Sequence, residues 1–384
     1  MTMISRTVVT RRKTGPAFDF VLVLATIIVA LVGVVMVYTA TRGVLLAAGD
    51  DPHTYLKKQA LFVVLGVFVM VAVALFDYRR FEPVAMLLYG LSVFSLLVVM
   101  VAGSHVQGSE RWFSLGGTIQ IQPSEFAVVG LILVVAAYCH RREEEGLAWL
   151  DVFKLLILAG IPIGLVLVQP DLGTAIIMTI VLLVMLAVAG LPIRILVLLV
   201  LGVAMVGLLA FESGILHSYQ IARLTTFLNP NSTSTNPSVV SAIYNTTEAK
   251  NAIGSGGFFG TGLLHGVQTN LGYVPEQSTD FIFTAVGEQL GFVGAAGLLS
   301  LLGLIAWRVL HAAGKSRDIF GRLICTGLFT FVAFSVFQNA GMTMGIMPIT
   351  GIPLPFVSYG GTAVIAFFLA VGLALSVGAR RRMR

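Results

Sequence analysis

Long apolar runs alternate with short polar segments along the whole chain. The runs are about 17 to 25 residues long, which is enough to cross a hydrocarbon core of roughly 30 Å as a helix. A membrane β-barrel would instead show short segments of alternating apolar and polar residues. The pattern therefore predicts an all-α polytopic membrane protein with about ten transmembrane helices. The predicted spans are residues 17–39, 57–75, 83–103, 123–139, 152–168, 173–190, 193–211, 281–306, 320–340 and 360–378.

Composition and charge agree with this interpretation and give the chain an orientation. Of the 384 residues, 57% are hydrophobic and only 11% are charged, which is too little polar surface for a water-soluble globule. If the N-terminus is cytoplasmic, 18 of the 24 Lys and Arg residues fall in cytoplasmic segments and 6 in external ones. The positive-inside rule then predicts that both termini are cytoplasmic. The net charge of +6 follows from this topology, and no basic face of a soluble domain indicates nucleic-acid binding.

We interpret residues 1–384 as one membrane domain. A cytoplasmic tail covers residues 1–16, and the first span is too long for the core of a signal peptide, so we expect it to remain as an anchor. The basic cytoplasmic tail, residues 379–384, is expected to contact anionic membrane lipids. One long extracellular loop, residues 212–280, precedes the eighth helix. Its tip at residues 229–238 is rich in Asn, Pro, Ser and Thr, which disfavour regular structure.

Two external segments are rich in Gly or Pro. Residues 251–266 hold six glycines among apolar residues, which favours a re-entrant or interfacial segment that packs on neighbouring helices. The alternative is a backbone wall beside a bound phosphate, formed by glycines such as Gly256 and Gly257. Residues 341–361 contain three prolines and cannot form a regular helix. We expect this segment, which includes the candidate binding residue Ser358, to line the same external cavity.

Asp280 marks the point where the polar sequence becomes apolar again, in VPEQSTDFIF at residues 274–283. A carboxylate at a membrane boundary costs free energy unless it is solvated, paired or used, so Asp280 is a candidate functional residue. One interpretation is the first turn of a helix, where Ser278 or Thr279 caps and the acid faces the positive end of the helix dipole. A carboxylate kept ionised there could also act as a general base. The two interpretations are compatible.

Four other ionisable residues lie at or near the external side. Glu125 and Glu288 fall at the start of a span or inside one, where a buried acid needs a partner. A structural ion pair or hydrogen bond and a catalytic role are alternatives for both. Arg111 and Arg223 could supply the partners, or they could form an anion site, because guanidinium groups bind phosphate oxygens bidentately.

The remaining polar residues have simpler interpretations. Asp171, in QPDLGT, is expected to cap the helix that follows it. Lys250 is interpreted as a solvated charge of the long loop. The two cysteines and the isolated histidines have no metal-ligand spacing, so the residues predict no metal site.

Five segments of this chain resemble the SEDS family, the shape, elongation, division and sporulation membrane proteins. They occur in the expected order and together span nearly the whole chain. They are ERWFSLGGTIQIQPSEF (110–126), QPDLGTA (169–175), AIGSGGFFGTGL (252–263), PEQSTDFIFTAVGEQLGF (275–292) and MPITGIPLPFVSYGGT (347–362). The last two look closer to the RodA branch than to the FtsW branch. One departure is Val128, where the family commonly has a lysine three residues after the motif glutamate.

The resemblance implies a peptidoglycan glycosyltransferase of the cell membrane. Such an enzyme polymerises lipid II into glycan strands at the outer face of the cytoplasmic membrane during cell-wall elongation and shape maintenance. The resemblance implies that Asp280 is the general base that deprotonates the acceptor sugar. The candidates for binding the substrate or its pyrophosphate are Arg111, Glu125, Arg223, Gly256, Gly257, Glu288 and Ser358.

The resemblance also implies partners and cofactors. A single-span class B penicillin-binding protein, a transpeptidase, is the expected protein partner. A divalent cation, Mg²⁺ or Mn²⁺, is plausible for a pyrophosphate leaving group, and no organic cofactor is expected. Two other functions stay open, a lipid II flippase and a non-catalytic scaffold for a partner synthase. A flippase predicts a polar path through the whole bilayer, whereas a scaffold predicts that Asp280 is replaceable.

Overall fold

The computed structural model describes residues 18–106, 109–115, 119–212, 218–230 and 234–380. Over these ranges the chain forms thirteen α-helices, one 3-10 turn and a small sheet. The predicted N-terminal tail, residues 1–16, and most of the basic C-terminal tail, residues 379–384, lie outside the described residues.

The described helices confirm an all-α polytopic membrane protein. They are α1 (Phe20–Ala48), α2 (Thr54–Leu75), α3 (Phe81–Ala102), α4 (Pro123–Arg141), α5 (Trp149–Val168), α6 (Leu172–Val188), α7 (Ile193–Glu212), α8 (Ser218–Leu228), α9 (Pro237–Ser255), α10 (Val267–Leu271), α11 (Ile282–Gly314), α12 (Ile319–Thr343) and α13 (Gly361–Ala379). Within the described ranges, nine helices are long and apolar enough to cross a membrane, and α6 is a shorter apolar helix of 17 residues. These ten match the predicted spans in order, although α1 and α11 extend further than predicted.

Aspartates at their N-termini define where several apolar helices begin. Asp171 precedes α6, and its Oδ1 accepts a hydrogen bond from the backbone N of Thr174 at 3.1 Å. Asp318 precedes α12, and its Oδ1 accepts one from the backbone N of Gly321 at 2.8 Å. Each carboxylate satisfies an amide that has no partner inside the helix. The capping role predicted for Asp171 is therefore confirmed.

Ion pairs connect the helix ends on the side predicted to be cytoplasmic. Arg308 of α11 donates from Nε to Asp19, just before α1, at 2.8 Å. Arg79 donates from Nε to Asp318 at 3.1 Å. Arg308 was expected in a loop, but α11 continues to Gly314. The extra turns bring its guanidinium to the start of α1.

The external segment before α11, predicted as one long extracellular loop, is largely helical. It contains α8, α9 and α10. The helix α9 begins inside the segment that we predicted to be irregular, because Asn236 accepts a hydrogen bond from the backbone N of Ser238 at 3.0 Å and Pro237 occupies the first turn. Proline suits this position, since its missing N–H would have no helical partner there.

A three-stranded antiparallel sheet follows α3, and the sequence did not predict it. Its strands are β1 (Ser104–Val106), β2 (Ser109–Leu115) and β3 (Ile119–Ile121), in the order β1-β2-β3. The sheet is linked to α13 because Thr362 donates from Oγ1 to the carbonyl of Gln120 at 3.2 Å and accepts from the backbone N of Gln122 at 3.0 Å.

The helix α11 is broken at Gly291, where φ is +65°. The glycine-rich segment supplies the hydrogen bonds that the break removes. The backbone N of Thr261 donates to the carbonyl of Glu288 at 2.9 Å, and the N of Phe292 donates to the carbonyl of Gly257 at 3.0 Å. Irregular backbone at membrane depth is tolerated where the protein satisfies its polar groups. This arrangement matches the packing interpretation of residues 251–266.

We expect Gly256→Ala to destabilise the protein and Gly254→Ala to leave it unaffected. A Cβ at position 256 would clash with the carbonyl oxygen of Gly287 in α11, whereas a Cβ at position 254 would meet no atom within 4 Å. Overpacking of this kind costs about 1–3 kcal/mol. Thermal unfolding of the purified proteins in detergent should show a lower Tm only for the Gly256 variant. Equal values for the two variants would contradict the close packing.

Candidate active site at the external face

Asp280 lies in a turn that precedes α11. The helix begins at Ile282 with Phe281 at the N-cap position, and no side chain caps it. The predicted capping by Ser278 or Thr279 was therefore wrong, and Thr279 instead donates its hydroxyl to the carbonyl of Glu276 at 3.1 Å. The side chain of Asp280 is half-buried, so a substrate can reach it.

The buried amide of Asn339 fixes the position of this turn. Asn339, near the end of α12, is fully buried. Its Nδ2 donates to the backbone carbonyl of Asp280 at 2.8 Å and to that of Ile352 at 2.7 Å. One amide group thus joins the Asp280 turn to the Pro-rich segment that follows α12.

Ser358 makes a second connection between the same two segments. Its Oγ accepts a hydrogen bond from the backbone N of Leu354 at 2.8 Å and donates to the carbonyl of Thr279 at 2.5 Å. Beside it, the backbone N of Tyr359 donates to the carbonyl of Ser278 at 2.8 Å. These contacts give Ser358 a positioning role, and its predicted contact with substrate stays a prediction.

Arg223 and Asp280 approach the same point of the Pro-rich segment, at Gly351. A Cβ added to Gly351 would lie 3.1 Å from Oδ2 of Asp280 and 3.9 Å from Nη1 of Arg223. Oδ2 of Asp280 and Nη1 of Arg223 are therefore at most the sum of 3.1 Å and 3.9 Å apart. Gly351 has a φ of +75°, a conformation that other residues adopt only with strain. A glycine here both permits the turn and leaves room for the two side chains.

Arg223 and Lys250 line one external cleft. It lies between α8, α9 and residues 345–349, and Thr226 also contributes to its wall. The hydroxyl of Thr226 is buried and has no hydrogen-bond partner among the described residues. We interpreted Lys250 as a solvated loop charge, but its position places a second cation in the cleft. Two cations and a hydroxyl form a surface suited to an anionic, oxygen-rich ligand.

Glu288 binds the start of α10. Its Oε1 accepts from the backbone N of Gln268 at 2.8 Å, and its Oε2 accepts from the backbone N of Thr269 at 2.9 Å. These bonds agree with the structural alternative for this buried acid. Gly256 and Gly257 pack at the break in α11. The predicted contact of all three with substrate or pyrophosphate stays a prediction.

Glu125 lies in the first turn of α4 and is 6% exposed. No hydrogen bond reaches its carboxylate from any part of the chain that the structure describes. The neighbouring Ser124 donates instead to Oδ2 of Asp171 at 3.2 Å. Val128, one turn further, is fully buried. Arg111 belongs to β2, but its side chain lies outside what the structure describes, so its predicted role and that of Glu125 stay predictions.

Tyr359 is a phenol on the Pro-rich segment, and it is a poor proton acceptor. Its ring lies edge-on to that of Tyr55, with centroids 4.9 Å apart. Burial, assisted by Tyr55, raises the pKa of Tyr359 to about 12, so the hydroxyl keeps its proton at neutral pH. The carboxylate of Asp280 is better suited than the hydroxyl of Tyr359 to accept a proton.

The described residues do not form a metal cage. Across the described ranges, no group of three or more His, Cys, Asp or Glu side chains comes together in a way that could hold an ion. The described side chains therefore do not provide enough ligands to hold a divalent cation on their own. The expected Mg²⁺ or Mn²⁺ stays a prediction.

Sequence reasoning missed Asn339 and did not predict that the exposed Lys250 lines a cleft. A signal for Asn339 was present, because Gln338 and Asn339 are adjacent amides inside the apolar run of α12. Buried amides in a membrane helix need partners, and Gln338 likewise donates to the carbonyl of Pro348 at 2.8 Å. For Lys250, the sequence held no comparable signal, because its cleft is formed by three separate parts of the chain.

The fold and site define a multi-pass helical membrane protein with an acid and two cations grouped at its external face. Residues 19–383 match the family model FtsW/RodA/SpoVE, described as cell cycle protein. The chain belongs to this family.

Two comparisons with individual proteins agree with the family. The chain is 36% identical over 355 residues to the peptidoglycan glycosyltransferase MrdB of Escherichia coli (strain K12), covering 91% of each chain. It is similar to the crystal structure of the rod shape determining protein RodA of Thermus thermophilus, with 28% identity, a TM-score of 0.69, and 96% and 99% of the two chains covered.

A third similar structure comes from a study of the coordination of polymerization and crosslinking by a peptidoglycan synthase complex. The match has a TM-score of 0.78 and 30% identity, and it covers 94% of this chain and 98% of the other. The chain is thus a multi-pass protein of the cytoplasmic membrane.

We expect Asn339→Leu to release the two segments that Asn339 joins. The substitution keeps the number of side-chain heavy atoms but leaves the carbonyls of Asp280 and Ile352 without their donor, which costs about 1–3 kcal/mol for each buried group. Hydrogen–deuterium exchange should therefore become faster at residues 275–281 and 344–360. Ser335→Ala is the matched control, because Ser335 bonds only within α12, to the carbonyl of Phe331. Unchanged exchange in Asn339→Leu would refute the positioning role.

Proposed function

We propose that this chain is a peptidoglycan glycosyltransferase that polymerises lipid II at the outer face of the cytoplasmic membrane, with Asp280 as its general base. The activity class is that of the relatives to which the chain is similar along almost its full length. The observation that carries the catalytic assignment is the approach of Asp280 and Arg223 to one point at Gly351. A proton acceptor and an anion-binding group there are what a transfer from a pyrophosphate donor requires.

The proposed reaction needs one proton acceptor. The 4-hydroxyl of the acceptor N-acetylglucosamine attacks the anomeric carbon of the donor N-acetylmuramic acid. The new C–O bond forms as the bond to the pyrophosphate oxygen breaks, with inversion at the anomeric carbon. Oδ2 of Asp280 takes the hydroxyl proton, and undecaprenyl pyrophosphate leaves with the electron pair. General-base catalysis by a positioned carboxylate contributes typically about 10²- to 10⁴-fold.

Arg223 and Lys250 are suited to bind the pyrophosphate. The pyrophosphate is already anionic in the bound donor, and negative charge grows on the leaving oxygen as the bond breaks, so fixed cations stabilise the bound substrate as well as the transition state. Thr226 could donate a further hydrogen bond from the cleft wall. The three groups lie on α8 and α9, and these helices hold them in defined positions relative to one another.

We also propose a class B penicillin-binding protein as partner and cell-wall elongation as the cellular role. The support for a partner is the similar chain from a peptidoglycan synthase complex that polymerises and crosslinks. The support for elongation is the similarity to MrdB and to RodA.

We expect Asp280→Asn to lower the rate of glycan polymerisation from purified lipid II by at least about 100-fold, because the amide cannot accept the hydroxyl proton. Glycan length on gels reports the product, and Tm verifies folding. Glu248→Gln is the control, since it removes one carboxylate from external helix α9 and should keep full activity. Equal polymer from the wild-type protein and Asp280→Asn would contradict the role of Asp280 as the base, and no polymer from either purified protein would favour a scaffold. Transbilayer movement of lipid II without polymer would favour a flippase.

We expect Arg223→Gln and Lys250→Gln each to raise the KM for lipid II by roughly tenfold, because a hydrogen bond to a charged group contributes about 1.5–3 kcal/mol. The salt dependence of KM should also become weaker in both variants, since one screened interaction is lost. Lys57→Gln is the control, because Lys57 is an external lysine paired with Asp51 at 2.9 Å. Unchanged KM values in both cleft variants would exclude the proposed pyrophosphate site.

A further inference from the structure

A second cleft lies at the opposite face of the membrane from Asp280. It has a volume of about 420 Å³ and is formed by α3, α4 and α5. Each helix contributes residues spaced three and four apart, which form one stripe on its surface. The stripes include Glu82 and Met86 on α3 and Val134 and Arg141 on α4. The volume is within the range of about 300–1,000 Å³ typical of ligand sites.

The cleft has a floor, and its two flanking helices are joined by a hydrogen bond at its inner end. The middle helix, α4, forms the floor with its buried residues Val134 and Ala137. Toward the membrane centre, Tyr89 of α3 donates from its hydroxyl to the carbonyl of Leu158 in α5 at 2.7 Å. This bond holds the flanking helices together one turn beyond the cleft. The opening between α3 and α5 is therefore a fixed feature of the packing.

Two cations at the rim have no ion-pair partner. Arg141 is the last residue of α4, and Lys154 lies near the start of α5, so both are at the level of the lipid head groups. Within the described ranges, neither makes a salt bridge or a hydrogen bond.

Further charged side chains lie close to this rim and contact one another. Arg142 pairs with Glu145 and lies 3.4 Å from Asp151, and Glu82 lies 3.8 Å from His140. The side chains that line the cleft itself carry two positive charges, those of Arg141 and Lys154, and one negative charge, that of Glu82.

The apolar lining continues beyond the cleft as a shallow groove. Met86 and Ile157, at its sides, are 60% and 47% exposed. Further along the same stripes, a Cβ added to Gly90 or to Gly160 would meet no atom within 4 Å. A cationic rim above an open apolar groove complements a molecule with an anionic head and an acyl chain.

We propose that this cleft binds an anionic phospholipid of the cytoplasmic leaflet. The phosphate would lie between Arg141 and Lys154, and an acyl chain would follow the groove past Met86 and Ile157. The positive-inside rule places this face in the cytoplasm, where anionic head groups attract basic residues. The site is separate from the external cleft and does not depend on the proposed catalytic role of Asp280.

Native mass spectrometry of the purified protein tests this site. Phosphatidylglycerol is titrated against phosphatidylcholine with the same acyl chains, and inorganic phosphate is added in a parallel series. We expect tighter binding of phosphatidylglycerol, and the double variant Arg141→Gln/Lys154→Gln should weaken it at least about tenfold. The matched control is Lys315→Gln/Arg317→Gln, which removes two exposed cations from the same face, outside the cleft.

A second variant keeps the charges and fills the groove. Met86→Trp should also weaken binding of phosphatidylglycerol, and the exposure of Met86 lets the larger ring fit without disturbing the core. Three results would overturn the proposal. They are equal binding of the two lipids, equal binding of phosphatidylglycerol to the double variant and its control, and displacement of the lipid by inorganic phosphate at equimolar concentration.

Discussion

The external site depends on one buried amide, the side chain of Asn339. Its Nδ2 binds two backbone carbonyls from segments about 70 residues apart in the chain, those of Asp280 and Ile352. Neither segment is helical, so neither can satisfy its own carbonyls as a helix does. Asn339 thus fixes the position of an irregular turn relative to the rigid helix α12. A carboxylate needs this kind of support if it is to be held within a fraction of an ångström of a reacting hydroxyl.

The apolar helices could be predicted from the sequence because their length and composition alone determine that they span a membrane. Asp280 could also be named as a candidate from the sequence, since a carboxylate at the start of an apolar run is costly wherever it lies. The strands after α3 and the helices before α11 were missed. Their stability depends on contacts such as that of Thr362 with Gln120, which pair positions far apart in the chain. The same reason hid the roles of Asn339 and Lys250, because each depends on a neighbour that periodicity does not reveal.

Charge is distributed differently on the two faces of the molecule. On the cytoplasmic side, most described charges form structural pairs, such as Arg308 with Asp19 and Arg79 with Asp318. These pairs fasten helix ends to one another. On the external side, Arg223 and Lys250 line an open cleft. Ion pairs therefore fasten helix ends at the cytoplasmic face, and two cations line a cleft at the external face. At the cytoplasmic face, Arg141 and Lys154 differ from the other cations because they line a cleft suited to a lipid.

The break in α11 has a consequence for how the protein is made. At Gly291 the helix lacks its own hydrogen bonds. Residues about 30 positions earlier in the chain supply the partners, as when the hydroxyl of Thr261 donates to the carbonyl of Glu288. The glycine-rich segment is synthesised first, so it has already emerged when α11 enters the bilayer. The exposed backbone groups then find their partners across a short loop, at a small entropic cost. Because the glycine-rich segment precedes α11 in the chain, the backbone groups at the break in α11 need not stay unpaired in lipid.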